Sequence, residues 1–352
     1  MTTPDGPARE ARSLSRWFRR VTLAVLAPML LVSCSGGEPD VVIYCSLDKV
    51  FSESFLAQFE KDTGLNVRAR YDVEAVKTVG LVNTLMEERS NPRCDVFWNN
   101  ELANTVKLAE AGLLDEYRSP AAETIPAGFR DEGGRWTGFA ARARILIVNT
   151  ELVPEGEMPT SMWDLLDPKW KGKCGIAKPL AGTTFTHFSA LSIALGDRFE
   201  EFLDGIEKNE VHVATGNAHI MRLVSDGKLH WGFTDTDDFN VALTDGKPVR
   251  AVYPDQGEGE LGTMVIPNSV MKIAGGPNPE NAQILIDYIL RPETEKILAA
   301  SRSAQIPLHP GVEKPDSVSS PPADFRPMEV DFVAVGKKLD EMNDLLTERF
   351  NR

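Results

Sequence analysis

The sequence predicts an α/β fold built from mostly parallel sheets flanked by helices. Three observations lead there. Short apolar runs alternate with segments of helical periodicity, in the order β-α-β-α-β-α, through residues 41–112. The same style returns in the second half, from Arg144 onward. At 352 residues, 42% hydrophobic and 26% charged, the chain is long enough for two cores and has an ordinary globular composition.

Taken in order, Val41-Val42-Ile43-Tyr44 is a short apolar strand. Phe51, Phe55, Leu56 and Phe59 recur at helical spacing over 49–62, and Gly64 stops that helix. Residues 65–71 alternate as a strand, 75–89 form a helix, 95–98 a strand, and 101–111 a helix ending at Gly112. Parallel sheets bind ligands beyond the C-terminal ends of their strands, here 46–48 and 99–101. In the second half 144–148 and 175–177 are strands. Residues 162–166 form a short helix, capped by Thr160 or Ser161, that ends before Pro168. A helix follows at 185–195, and another at 220–225 with Asn217 as its N-cap. The strand 229–233 runs into Asp235, Asp237 and Asp238. A further strand at 263–266 and helices at 281–290, 293–301 and 331–350 finish the chain. The Pro- and Ser-rich stretch 311–327 is a surface connection.

A formal charge of −14 argues against nucleic acid or an anionic membrane surface as the main partner. At the N-terminus Arg16, Arg19 and Arg20 precede an apolar run over 21–32, too short to span a bilayer and suited to a signal-peptide core. The run ends in Leu31-Val32-Ser33-Cys34, which is similar to a bacterial lipobox with Cys34 as the lipidated first mature residue. The expected organisation is a signal peptide over 1–33 (lipobox 31–34) and a tether over 34–40; the alternative is a plain signal peptide with a chance cysteine. That leader holds five Arg against Asp5 and Glu10, so the mature protein carries about −17. Cys45, Cys94 and Cys174 lack metal-ligand spacing and allow at most one disulfide.

Three aspartates within four positions repel one another unless water, a cation or hydrogen-bond donors compensate. A metal site, an ammonium-binding site and a solvated turn all remain open. An EF-hand is excluded, because Asn240 occupies the position that needs glycine and Gly246 the one that needs glutamate. The five histidines form no zinc pattern. Gly182, Thr183 and Thr184 sit at a helix start, an arrangement that holds phosphate or a carboxylate through backbone N–H groups. Arg142 or Arg144 adds a guanidinium suited to an oxyanion.

The stretches "FLAQFEKDTGLNV", "CDVFWNN", "LAEAGLLDEY", "ARARILIVNT" and "MPTSMWDLLDPKWKGKCGIAKP" occur in an order that resembles extracellular solute-binding proteins of ABC importers. The resemblance is to the ferric-iron, thiamine and 2-aminoethylphosphonate branch and covers roughly 41–308. It implies a two-lobed type II periplasmic binding fold. Lobe 1 would take 41–143 and 263–318, lobe 2 would take 144–262 and 319–352, and hinge strands near Arg144 and Thr263 would let the lobes close. The implied function is a lipid-anchored protein on the periplasmic or extracellular face of a bacterial membrane. It would act as a monomer and deliver its ligand to ABC permease and ATPase subunits.

The implied ligand is a metal cation, iron first, with phosphate or carbonate; a zwitterionic organophosphonate such as 2-aminoethylphosphonate is the alternative. Ferric-binding members use a histidine, a glutamate and two adjacent tyrosines, positions that fall here on Asp48, Asn100, Asp237 and Asp238. All four differ, yet each replacement offers oxygen, which with Asp235 suits hard or borderline cations such as iron, manganese or calcium. Asn217 matches the family's asparagine on the anion side. No catalytic residue and no resident cofactor is expected. A metal-dependent hydrolase is the competing class, without a nucleophile elbow, P-loop or metalloprotease helix to complete it.

Overall fold

The computed structural model describes residues 38–47, 49–72, 79–315 and 325–351. The leader 1–33, the lipidation candidate Cys34, the metal candidate Asp48 and residues 316–324 of the connection lie outside them.

Strand β1 (Val41–Cys45) is buried along its whole length and lies between β2 (Val67–Tyr71) and β3 (Val96–Asn99), parallel to both. A central parallel strand is covered on both faces, which is why it reads as an unbroken apolar run, whereas edge strand β2 alternates. Helix α1 (Lys49–Thr63) seats Phe55 5.6 Å from the Trp98 ring and Phe59 5.1 Å from Tyr288. Gly64, at φ +75°, ends it in a backbone conformation that few other residues adopt readily. Helix α2 (Val79–Glu87), followed by a 3-10 turn over Glu88–Ser90, takes the described part of the helix predicted over 75–89. Helix α3 (Ala103–Glu110) begins two residues later than predicted, because the Glu101 carboxylate accepts from the N–H groups of Ala103 and Asn104 at 2.6 and 3.0 Å and so caps it.

The strand predicted over 144–148 is in fact the thirteen-residue β5 (Thr137–Asn149), fully buried. Its Gly and Ala residues dilute the apolar signal of its first half. Up to Ala143 it pairs with antiparallel β10 (Val265–Ile273); from Arg144 it pairs with antiparallel β8 (Trp231–Asp235) and β9 (Val249–Val252). Strands β6 (Cys174–Ala177) and β7 (His212–Ala214) complete a second parallel trio with β8. The order β2-β1-β3-β10-β5-β8-β6-β7, with β4 (Leu114–Asp115) beside β10, is therefore two parallel trios joined through two crossing strands. This is the predicted two-lobed α/β arrangement.

Around the second trio lie α4 (Gly182–Leu195), α5 (Arg198–Lys208), α6 (Asn217–Ser225) and α7 (Thr236–Thr244). Residues 162–166 form a 3-10 helix, with Ser161 as cap and Asp164 completing a capping box. Strand β8 and its parallel neighbour β6 meet at Gly232 and Gly175, which are register partners. A Cβ on Gly232 would come 2.5 Å from Ile220 Cγ2, and one on Gly175 3.0 Å from Ile220 Cδ1. The two glycines thus let α6 lie low on the sheet. Gly232→Ala is expected to push α6 outward and cost about 1–3 kcal/mol; a denaturant midpoint equal to that of the wild type would refute this.

Helices α8 (Pro279–Ile289) and α9 (Pro292–Ala300) pack on the first sheet. Helix α10 (Phe332–Phe350), capped by the Asp331 side chain, packs against both α3 and α4, so it touches both halves rather than lobe 2 alone. Its Gly336 lies close enough to α3 that a Cβ would meet Ala103 O at 3.0 Å. The three described cysteines are buried, and no disulfide joins them to one another.

Candidate functional site

Strand β8 ends at Asp235, and α7 starts at the next residue. Asp235 occupies the N-cap position of α7, yet its side chain makes no capping bond. It turns instead to Arg144, which donates from Nη1 to Oδ1 at 2.7 Å. Thr183 Oγ1 and Asn217 Nδ2 donate to the other oxygen at 2.6 and 3.0 Å. Arg144 is wholly buried and also donates to Asn217 Oδ1 at 3.1 Å and Thr184 Oγ1 at 3.2 Å. Burial opposes the ionised form of Asp235. The charges of Arg144 and Arg142, with the hydrogen bonds from Thr183 and Arg144, outweigh it and hold the pKa below the ordinary range.

Asp237 and Asp238 lie in the first turn of α7, where the helix dipole favours negative charge. Asp237 Oδ1 accepts from the Asp238 N–H at 3.0 Å, and Asp238 Oδ2 accepts from Thr234 Oγ1 at 3.0 Å. Arg142 Nε stands 3.6 Å from Asp237 Oδ2. The same guanidinium donates to the Asn100 carbonyl and, at 3.2 Å, to Asn268 Oδ1. Arg142 therefore touches the first half, a crossing strand and the second half at once.

These groups line a cleft of about 500 Å3. Asn100, Arg142, Gly182, Thr183, Thr184, Asn217, Asp235, Asp237 and Asp238 all border it, with Leu47 from the end of the first strand. Arg144 is the exception among the described candidates: it sits behind the wall and fixes Asp235, Thr183, Thr184 and Asn217 in place. The three aspartates bring carboxylate oxygens within 4.8 Å of one another, a spacing open to a metal ion. Both oxygens of Asp235 accept hydrogen bonds from the buried wall, whereas Asp237 and Asp238 are only half-buried and border the cleft.

Asn217 is the first residue of α6 rather than its cap; Gly216, fully extended, takes that place. Neither Gly216 nor Ala181, the N-cap of α4, supplies a capping side chain. The starts of α4 and α6 thus bring to the cleft N–H groups that lack intrahelical partners. Glu101, next to Asn100, is buried away from the cleft and accepts from Thr186 Oγ1 of α4 at 2.9 Å; burial raises its pKa against the pull of its hydrogen bonds. Trp98 is a core residue, 5.2 Å from the Phe139 ring.

Lys178, His219 and Arg222 also line the cleft, and sequence reasoning did not single them out for it. A signal was present: Ala218, His219 and Arg222 share one face of α6, while Ile220, Met221 and Val224 bury the other.

Residues 102–329, well over half of the chain, match the family described as bacterial extracellular solute-binding protein. Iron uptake protein A1 of Synechocystis sp. is 26% identical over 320 residues, covering 84% of this chain and 86% of that protein. The putative 2-aminoethylphosphonate-binding periplasmic protein of Salmonella paratyphi A is 27% identical over 283 residues, covering 78% and 80%. The crystal structure of iron-bound HitA from Pseudomonas aeruginosa superposes with a TM-score of 0.78 at 21% identity, covering 87% of this chain and 98% of that one. The family match leads to one conclusion: the chain belongs to the bacterial extracellular solute-binding proteins, which serve ABC importers.

Proposed function

We propose that this protein captures a ligand with two poles and hands it to its permease. A cationic group rests on Asp237 and Asp238, and an oxyanion rests on the starts of α4 and α6. The observation that carries this is the presence, in one cleft, of a carboxylate pair and two helix starts without capping side chains. Iron with phosphate or carbonate fits the names of the iron-binding relatives and the oxygen donors Asp237, Asp238 and Asn100. A second reading, a zwitterionic phosphonate such as 2-aminoethylphosphonate, is favoured by a lining that holds no tyrosine among the described residues and by the names of other relatives. The protein acts as a carrier rather than a catalyst, tethered to the membrane through Cys34.

Elemental analysis and native mass spectrometry of the mature protein, followed by melting with each ligand, separate the readings. Iron found in the protein, with a melting temperature raised by ferric iron plus phosphate, supports the first. A shift with 2-aminoethylphosphonate and none with iron, manganese or calcium overturns it in favour of the second.

A further inference from the structure

The cleft differs in charge from the molecule that contains it. The whole chain carries −14. Among the described residues at the cleft, Arg142, Lys178 and Arg222 in the lining and Arg144 behind it stand against Asp235, Asp237 and Asp238, an excess of one positive charge. Two of the basic groups are already matched: Arg144 to Asp235 at 2.7 Å and Arg142 to Asp237 at 3.6 Å. Lys178 and Arg222 have no carboxylate partner among the described residues. Lys178 Nζ donates to the side-chain oxygen of Asn351, a neutral partner. Arg222 is exposed to solvent and projects from the same face of α6 as Ala218 and His219, one turn beyond the helix start.

We infer that Arg222 and Lys178 are specificity-determining residues of this cleft and select a doubly charged phosphoryl- or phosphonyl-type group over a carboxylate. The inference rests on the two-pole reading above and names the class of its anionic pole. Two helix starts can hold a singly charged oxyanion without any side-chain charge. Two further cations that no carboxylate among the described residues neutralises match a second negative charge. Donors arriving from two helix starts and two separate side chains also suit three terminal oxygens better than two. Arg222 supplies a planar fork for two of them, and Lys178 a point charge. Local positive charge in a strongly acidic protein also draws an anion to the cleft and away from the remaining surface.

The test compares 2-aminoethylphosphonate with β-alanine, which keeps the amino group and the two-carbon spacer but replaces phosphonate by carboxylate. Inorganic phosphate, with and without ferric iron, is the second probe. Calorimetric titrations are run on the wild type, Arg222→Ala, Lys178→Ala and the double variant, at two salt concentrations. Both side chains reach solvent, so the variants are expected to fold, and melting curves without ligand verify it. The wild type is expected to prefer the phosphonate or phosphate probe, and each single variant to lose about tenfold in affinity for it. The double variant is expected to lose most of the preference over β-alanine and much of the salt dependence. Equal binding of both probes by the wild type overturns the inference, as does unaltered discrimination in the double variant or the lack of any phosphate or phosphonate binding. The two-pole reading fails separately: in that case Asp237→Asn/Asp238→Asn leaves ligand binding unchanged, whatever Arg222 and Lys178 do.

Discussion

Arg144→Ala is expected to destabilise the protein by about 3–5 kcal/mol, because it strands the Asp235 carboxylate inside the wall of the cleft. For a chain of this size that is a fall in melting temperature on the order of 10 °C. Arg144 is 0% and Asp235 4% exposed, so water cannot replace the lost partner. Asp235→Asn is expected to destabilise as well, since the buried Arg144 guanidinium then lacks its counterion. The pH dependence has a definite sign. The folded state holds the Asp235 pKa below the ordinary value, so its contribution is complete above about pH 4 and is lost as pH falls through the folded-state pKa. Melting curves between pH 7 and pH 2 should show that loss in the wild type and a flatter profile in Asp235→Asn. An Arg144→Ala protein melting within two degrees or so of the wild type would show that the buried pair contributes little.

The second large effect concerns binding. Asp237→Asn/Asp238→Asn is expected to weaken the ligand by roughly a hundredfold or more, as expected for removing the charged partners of a partly desolvated cation. Shape and hydrogen-bonding capacity are nearly conserved, so the loss would be a loss of charge. Because both aspartates lie in the first turn of α7, the unliganded variant is expected to lose only a few tenths of a kcal/mol up to about 1 kcal/mol of helix-dipole stabilisation. Large loss of affinity with small loss of stability is the signature of a ligand-facing pair. Calorimetry with the ligand identified by mass spectrometry reads the first, and thermal melting the second. Unchanged affinity would return the acidic stretch to the role of an ordinary helix start.

Much of the fold was legible because its central strands are apolar on both faces and its helices keep their periodicity. Val41 to Cys45 and Trp231 to Asp235 are cases in point. Helix α5 went unread although Phe199, Phe202, Leu203 and Ile206 mark a clear buried stripe. Strands β7 and β9, of three and four residues, are too short for an alternation to be distinguished from chance. The extent of β5 was hidden because Gly138, Ala140, Ala141 and Ala143 give no strong hydrophobic signal, while their small size suits a strand buried on both sides. At the site, the aspartates, Gly182 to Thr184 and Asn217 could be assembled from spacing and family resemblance. The distinct work of Arg142 and Arg144 could not. They are two residues apart on one strand, on either side of the point where β5 changes partner from β10 to β8, and their spacing does not tell which lines the cleft and which lies behind its wall.

The threading of the two crossing strands also bears on how the chain reaches its native state. Strand β10 lies between β3 and β5, so the first sheet is incomplete until residues 265–273 have been made and brought back. The second trio, with β5 and β9, draws on residues within 144–252, a continuous stretch. Closing a short loop costs less entropy than closing a long one, and non-local pairings form late. The half that carries the aspartates can therefore organise itself first and then serve as the template on which the split half is stitched shut.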